Sequence, residues 1–195
     1  MSIHLLNSNS VFFQIPKTGG RWTWKAMENS GIKFINQGSH NTYVTEDLIG
    51  KKSFVFVRRP IEFYKSYWCY RTENKTTKWY LEQYCWSDDF EEYLCNIIKH
   101  QYPYVTQLYR SYIGEPQIVD YIGHQENLTE DLITILKMLD EDFDEQKLRD
   151  TPRENVSRTK LQYSKHLELG INLLEKDVIN KYYYGTKNII HRAKS

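Results

Sequence analysis

Four residues able to bind an anion stand together early in the sequence: Lys17, Thr18, Gly19 and Gly20. They follow the hydrophobic run 11–15, which predicts a short buried strand, and they precede a helical pattern over 21–29. A turn from strand to helix directs backbone N–H groups at one spot, where the helix dipole adds positive character, and glycine lets a bulky ligand approach closely. The segment therefore predicts a site for a phosphate or sulfate group, with an ordinary turn carrying a solvated lysine as the alternative. It is not a Walker A loop, in which the lysine follows the glycines.

A second basic segment also lies where a hydrophobic run ends. The run 53–57 predicts a strand with Arg58 at its carboxyl end, and Ser66 lies about two turns along the helix predicted over 60–71. Ligands of open α/β sheets bind beyond the carboxyl ends of the strands. Two such elements favour a ligand with two separate phosphates, whereas the alternative is that Arg58 and Arg59 are surface charges in weak ion pairs.

Taken together, the two segments resemble the sulfotransferase superfamily that uses 3′-phosphoadenosine 5′-phosphosulfate (PAPS). The stretch 16–20 matches the family's 5′-phosphosulfate loop, and Arg58, Pro60 and Ser66 match its 3′-phosphate motif. Three later segments match in the same order: 123–128, 155–158 and 182–185. The resemblance covers roughly residues 11 to 190, and it is nearer to the carbohydrate, Golgi-type sulfotransferases than to those acting on small phenols.

The resemblance implies a role for individual residues. The loop would hold the 5′-phosphosulfate, Arg58 and Ser66 would hold the 3′-phosphate, and Arg158 lies in a segment that folds over the nucleotide. The expected cofactor-binding residues are Lys17, Thr18, Gly19, Gly20, Arg21, Trp22, Arg58, Ser66 and Arg158.

Two positions depart from the family pattern. Arg21 and Trp22 stand where small hydroxyl residues are usual, so that Arg21 either supplies a charged fork or leaves only backbone donors. Phe63 stands where the family often has a second arginine, a loss for which Arg59 or Arg158 could compensate.

Sulfuryl transfer needs in-line attack on sulfur by an acceptor oxygen, while negative charge builds on the leaving nucleotide. The resemblance implies that Lys17 stabilises this charge and that no metal is required. A hydroxyl acceptor also needs a base, and histidine is the most frequent one because its pKa is about 6.5. His40 is the first candidate because it lies in a turn-like segment between the two motifs, and His124 and Glu46 are the alternatives.

The resemblance implies an enzyme that moves the sulfuryl group of PAPS to a hydroxyl, on a carbohydrate or glycolipid, and releases 3′-phosphoadenosine 5′-phosphate (PAP). The departures at Arg21 and Phe63 favour, as an alternative, a nucleotide-binding module that has lost catalysis. An ATP-dependent kinase on a related fold is a further alternative, which would require Mg²⁺ and a Walker A order that the sequence lacks.

Composition narrows the class of protein. The 195 residues carry 26 basic and 25 acidic side chains, a net charge of +1, which excludes a general nucleic-acid binder. The absence of a long apolar run and of a secretory signal predicts a cytoplasmic protein with no membrane span. Three cysteines are too few for a disulfide scaffold.

Strands that alternate with helices predict an α/β fold, with a single domain over 1–195. We expect a central parallel sheet of four or five strands with helices on both faces, resembling the P-loop NTPase-like fold of the sulfotransferases. Residues 1–10 and 190–195 are expected to be frayed.

Aromatic side chains are concentrated between residues 64 and 86: Tyr64, Tyr67, Trp68, Tyr70, Trp79, Tyr80, Tyr84 and Trp86. Packing in the core is predicted for most of them. One or two are expected to line the acceptor cleft, since sugar rings stack on aromatic faces.

Overall fold

The computed structural model describes residues 2–37, 50–73, 80–153, 161–184 and 189–192. The chain divides into two compact units. The first unit comprises Met1–Arg58, Tyr109–Glu154 and Gly185–Ser195. The second unit comprises Arg59–Leu108 and Asn155–Tyr184.

Strands and helices alternate along the described residues. The strands are β1 (Ser2–Leu5), β2 (Ser10–Phe13), β3 (Phe34–Gln37), β4 (Lys52–Val57), β5 (Tyr121–His124) and β6 (Ile190–His191). The α-helices are α1 (Gly20–Asn29), α2 (Pro60–Glu73), α3 (Tyr80–Tyr84), α4 (Phe90–His100), α5 (Tyr104–Ile113), α6 (Leu128–Met138), α7 (Glu145–Arg149), α8 (Lys165–Leu174) and α9 (Lys176–Val178). A 3₁₀ turn, Gln125–Asn127, precedes α6, and a π-helical turn, Ile179–Tyr183, follows α9.

Three parallel strands form the centre of the sheet in the first unit. The strand order is β3-β1-β2-β4-β5-β6, in which β2, β4 and β5 are parallel and the remaining pairs are antiparallel. The α/β class is confirmed, but the sheet has six strands and is mixed, whereas a parallel sheet of four or five strands is predicted. The difference arises because β1 and β2 are joined by the tight turn 6–9, which allows only antiparallel pairing.

Both ends that were expected to be frayed contribute strands. β1 pairs with β2 on one side and β3 on the other, and all four of its residues are buried. His4 lies in this strand, with its Nδ1 atom 3.5 Å from Nζ of Lys51. β6 pairs with β5 within the second segment expected to fray. β1 and β6 lie in segments without a hydrophobic run as long as those that identify β2 and β4, so the sequence did not mark them.

Aromatic rings of neighbouring strands form the centre of the first unit's core. The rings of Phe12 and Phe54 are stacked with centroids 5.0 Å apart, and Phe56 meets Phe12 edge-on at 5.9 Å. A Cβ atom at Gly123 would lie 2.5 Å from Cε1 of Phe56, so β5 requires glycine at this point. The buried apolar faces of α1 and α6 belong to the same cluster. This core fixes the positions at which β2, β4 and β5 end.

The second unit is helical, and a buried carboxylate lies inside it. Glu175, between α8 and α9, accepts hydrogen bonds from the hydroxyl of Tyr64 (2.6 Å) and the N–H of Val105 (3.0 Å) at one oxygen. Its other oxygen accepts from the N–H (2.8 Å) and the hydroxyl (2.6 Å) of Thr106. Burial raises the pKa of Glu175, although the four hydrogen bonds oppose that shift. Glu175 therefore ties α2 and the first turn of α5 to α8.

The helix bounds agree closely with the sequence predictions around the first motif. α1 begins one residue before its predicted start, and Gly31 has a φ of 87°, as a helix-terminating glycine should. α2 begins at Pro60 as predicted. None of the described helices is long and apolar enough to cross a membrane.

Candidate functional site

The loop between β2 and α1, residues 14–19, is here called the anion loop. Its backbone adopts the left-handed conformation at Lys17 (φ 66°) and at Gly19 (φ 91°). The buried hydroxyl of Thr18 donates to the carbonyl of Ile15 at 2.9 Å. The hydroxyl hydrogen of Thr18, one of the expected cofactor-binding residues, therefore helps to close the loop.

Close packing leaves little room for a side chain at Gly19 or at Gly20. A Cβ atom at Gly19 would lie 2.6 Å from Cδ2 of Leu128, the first residue of α6. A Cβ atom at Gly20 would lie 2.2 Å from Cγ of Gln14. The anion loop thus packs against the start of α6 at Gly19, and its own residue Gln14 packs against the first residue of α1. The Oε1 atom of Gln14 is buried without a hydrogen-bond partner in the described part of the chain.

The amino-terminal end of α1 presents backbone donors. The N–H of Thr23 donates to the carbonyl of Gly19 at 3.0 Å, which begins the helical hydrogen-bond ladder. The N–H groups of Gly20, Arg21 and Trp22 precede that ladder and have no partner within the helix. Among the described residues, no side chain caps this end and no acidic residue lies in its first turn. The arrangement favours a bound anion.

Arg21 and Trp22 differ in what they can offer a ligand. The side chain of Arg21 is exposed in the first turn of α1. Trp22 is only 5% exposed, and its Nε1 donates to the carbonyl of Thr151 at 3.2 Å. The indole of Trp22 is thus a core group, and only its backbone N–H can serve as a cofactor-binding donor.

Arg58 follows β4 and contacts the anion loop directly. Its Nη1 donates to the carbonyl of Lys17 at 3.2 Å. β2 and β4 are parallel neighbours, so the residues that follow them meet at one edge of the sheet. The structure thus brings together Lys17 and Arg58, which the sequence places in separate motifs.

Tyr109 holds the backbone of Arg58, a role that the sequence analysis missed. Its hydroxyl accepts the N–H of Arg58 at 2.8 Å and donates to the carbonyl of Arg58 at 2.8 Å. Tyr109 is 1% exposed. It lies 51 residues along the chain from Arg58, and no local pattern marks the pairing.

His124 closes the same edge of the sheet at the end of β5. It is the register partner of Val57, the residue before Arg58. Its Nδ1 lies 3.4 Å from Oδ2 of Asp131, which also accepts the N–H of His124 at 2.7 Å. The amide of Asn127 donates to the other oxygen of Asp131 at 2.7 Å. A buried carboxylate that orients an imidazole in this way is suited to support proton transfer.

The remaining predicted residues belong to the second unit or fall outside the described ranges. Ser66 is half-buried on α2, within the second unit. Phe63, the departure from the family pattern, is fully buried there and packs against the rings of Tyr64 and Tyr67. It is a core position in this chain, which accounts for the absence of an arginine. His40, Glu46 and Arg158 lie outside the described residues.

Core packing, predicted for most aromatics of the segment 64–86, is seen for several of those that the structure describes. Tyr64, Tyr67 and Trp68 are buried, and the rings of Trp68 and Trp86 stack with centroids 6.3 Å apart. Among the described aromatics of this segment, Tyr70 and Tyr84 are exposed, at 45% and 49%. Nearby, burial raises the pKa of the Cys85 thiol to about 11, which makes that thiol unreactive at neutral pH.

Within the described ranges, no three His, Cys, Asp or Glu side chains gather closely enough to hold a metal ion. No family model, curated protein or solved structure matches the chain.

Proposed function

We propose that this protein is a PAPS-dependent sulfotransferase that transfers a sulfuryl group to an acceptor hydroxyl and releases PAP. The observation that carries the proposal is the contact between the Arg58 guanidinium and the Lys17 carbonyl at the carboxyl ends of adjacent parallel strands. Each half of the motif pair contributes one basic residue to this contact, and among the described residues the start of α1 has no side-chain cap and no acidic residue in its first turn.

The residues present fit a nucleotide that carries two separate anionic groups. The uncapped first turn of α1 supplies the N–H groups of Gly20, Arg21 and Trp22, and Lys17 supplies a full charge beside them. Arg58 offers a planar fork that suits a phosphate oxygen pair. PAPS supplies the sulfuryl group when bound. Ser66 and Arg158 complete the proposed nucleotide-binding set.

The residues divide the chemical work. Lys17 and the first backbone N–H groups of α1 neutralise the negative charge that develops on the leaving nucleotide. They are already in place before the transfer, so they need not reorganise during it. The acceptor proton goes to a base, for which His40 is the candidate from sequence. His124 is the candidate for which Asp131 provides an orienting partner. The proposal involves no metal ion.

The acceptor in this proposal is a hydroxyl of a carbohydrate or glycolipid. Tyr70 and Tyr84, exposed in the aromatic-rich segment, supply ring faces on which a sugar can stack. The proposal includes a relation to the Golgi-type sulfotransferases, a P-loop-like fold and a cytoplasmic location. These three parts rest on the sequence.

Calorimetric titration with PAP, and with ATP in the presence and absence of Mg²⁺, tests the nucleotide class. We expect metal-independent binding of PAP with a dissociation constant of about 1 μM and far weaker binding of ATP. Preference for Mg-ATP would instead identify a kinase. Absence of any nucleotide binding would overturn the proposal.

Turnover is tested separately, with labelled PAPS and a panel of oligosaccharides and glycolipids. His40→Ala and His124→Ala identify the base, because removal of the base lowers kcat by about 10²–10⁴-fold and leaves PAP affinity intact. His166→Ala is the control, since His166 is exposed on α8. PAP binding with no turnover on any acceptor would identify the module that has lost catalysis.

A further inference from the structure

We propose that Arg58 is a strut that fixes the conformation of the anion loop, in addition to binding a phosphate, and that Tyr109 is the residue that positions this strut. The ligand-binding part of this inference rests on the proposed function. The structural part concerns the protein without ligand and stands independently.

A single buried hydroxyl fixes both backbone groups of Arg58. Tyr109 accepts from its N–H and donates to its carbonyl, both at 2.8 Å. A donor–acceptor pair on one residue restrains both of its backbone dihedrals, and the hydroxyl is buried, so water does not compete for these bonds. The direction in which the Arg58 side chain leaves the end of β4 is therefore set by α5.

The guanidinium in turn fixes one peptide plane of the anion loop. Nη1 of Arg58 holds the carbonyl of Lys17, a non-glycine residue in the left-handed conformation. The trans peptide between Lys17 and Thr18 directs the N–H of Thr18 opposite to that carbonyl. Holding the carbonyl thus also sets the direction of a loop donor, and it offsets the cost of the left-handed backbone at Lys17.

A strut and a simple phosphate ligand predict different results for a nucleotide without a 3′-phosphate. A residue that only contacts the 3′-phosphate has no effect on adenosine 5′-phosphosulfate, which lacks that group. A residue that shapes the anion loop weakens adenosine 5′-phosphosulfate and PAP alike. The two nucleotides therefore separate the two roles of Arg58.

The binding experiment uses Arg58→Lys and Tyr109→Phe, both of which preserve net charge. We expect each variant to bind adenosine 5′-phosphosulfate about 10-fold more weakly than the wild type, because a charge-assisted hydrogen bond or its support is lost. Tyr112→Phe is the matched control: Tyr112 is a buried tyrosine on α5 whose hydroxyl has no hydrogen bond within the described residues, and its affinity should be unchanged. Unchanged affinity for adenosine 5′-phosphosulfate in Arg58→Lys, with weaker PAP binding, would overturn the strut.

A second experiment needs no ligand. Amide hydrogen exchange of peptides covering 14–24 should be about 10-fold faster in Arg58→Lys and Tyr109→Phe, while peptides covering β1 and α6 exchange at the wild-type rate. Acceleration confined to the loop separates a lost strut from general destabilisation. Unchanged exchange of the loop peptides in both variants would disprove the strut. If Tyr109→Phe does not fold, the exchange of the loop peptides in Arg58→Lys alone tests the strut. Faster loop exchange in a protein that binds no nucleotide would retain the strut and reject the proposed function.

Discussion

Two helices of this protein begin with the same backbone chemistry and satisfy it differently. At the start of α5, the carboxylate of Glu175 accepts the N–H groups of Val105 and Thr106. At the start of α1, the described residues provide no side-chain cap and no acid in the first turn, and the Arg58 guanidinium contacts the loop that precedes the helix. One helix end carries an internal anion, whereas the described residues provide none at the other.

The difference shows how a structural anion and a ligand site can be told apart. Glu175 is completely buried, and its four hydrogen bonds connect three helices of the second unit. The backbone N–H donors at the start of α1 follow the anion loop. In that loop the Thr18 hydroxyl donates to the carbonyl of Ile15, so this side chain holds the shape of the loop itself. Burial with complete hydrogen bonding indicates stability, whereas ordered donors with no internal acceptor indicate binding.

The largest effect is expected from removing the internal anion. Glu175→Ala leaves the Tyr64 and Thr106 hydroxyls and two backbone N–H groups without their acceptor, so the free energy of unfolding should fall by about 4 kcal/mol. Urea denaturation measures it. Asp177→Ala, an exposed acid two residues away, is the control and should change stability by less than about 0.5 kcal/mol. Equal effects of the two variants would mean that α5 does not depend on its cap.

The next effect concerns catalysis at the α1 end. Lys17→Ala should lower kcat by about 10²–10³-fold, because a positioned donor to developing charge is lost, while PAP affinity falls only about 10-fold. Steady-state assays and calorimetry give the two values. Lys33→Ala removes an exposed lysine of the same unit and should affect neither quantity. Equal losses in kcat and affinity would make Lys17 a general anchor.

A smaller effect is expected from giving α1 an internal anion of its own. Arg21→Glu places an acid in the first turn, where it stabilises the helix end and competes with a ligand. PAP affinity should fall by about 10-fold, against about 2-fold for Arg21→Gln, which removes the charge without adding an acid. Identical titration curves for the two variants would show that the first turn of α1 does not face the bound nucleotide.

The smallest effect is a pH dependence of stability at Glu175. Its pKa is raised above 4.5 by burial, so its stabilising contribution is full below the unfolded-state pKa and is lost as pH rises through the folded-state pKa. The stability of the wild type relative to Glu175→Gln, which does not titrate, should therefore decline as pH rises from about 4. Denaturation curves at several pH values measure this decline, and a rise over the same range would contradict it.

Local patterns predicted the elements that carry the anion loop. The hydrophobic runs 11–15 and 53–57 identified β2 and β4, and the glycines and Pro60 marked the starts of α1 and α2. These signals are contained within a few residues, so a single sequence displays them. The side chains of Thr18 and Trp22 donate hydrogen bonds to the carbonyls of Ile15 and Thr151. These bonds depend on how the chain folds around the two residues, so they could not be predicted from sequence.

Hydrogen-bond partners that lie far apart in the chain could not be predicted from the sequence. Tyr109 looks like any aromatic on an amphipathic helix, yet its hydroxyl fixes Arg58. Glu175 lies between α8 and α9, and its hydrogen-bond partners Thr106 and Tyr64 stand 69 and 111 residues earlier in the chain. Burial of a polar group against a chosen partner follows from tertiary packing, for which neither residue carries a local signal.

The close approach of Gln14 to Gly20 has a consequence for how the loop can change over generations. An alanine at position 20 would place its Cβ 2.2 Å from Cγ of Gln14, whereas an alanine at position 14 has no γ atom to collide. A side chain at position 20 therefore requires Gln14 either to move or to be replaced by a smaller residue. In a randomised library selected for folding, replacements of Gly20 should be found together with a smaller residue at position 14 more often than with glutamine.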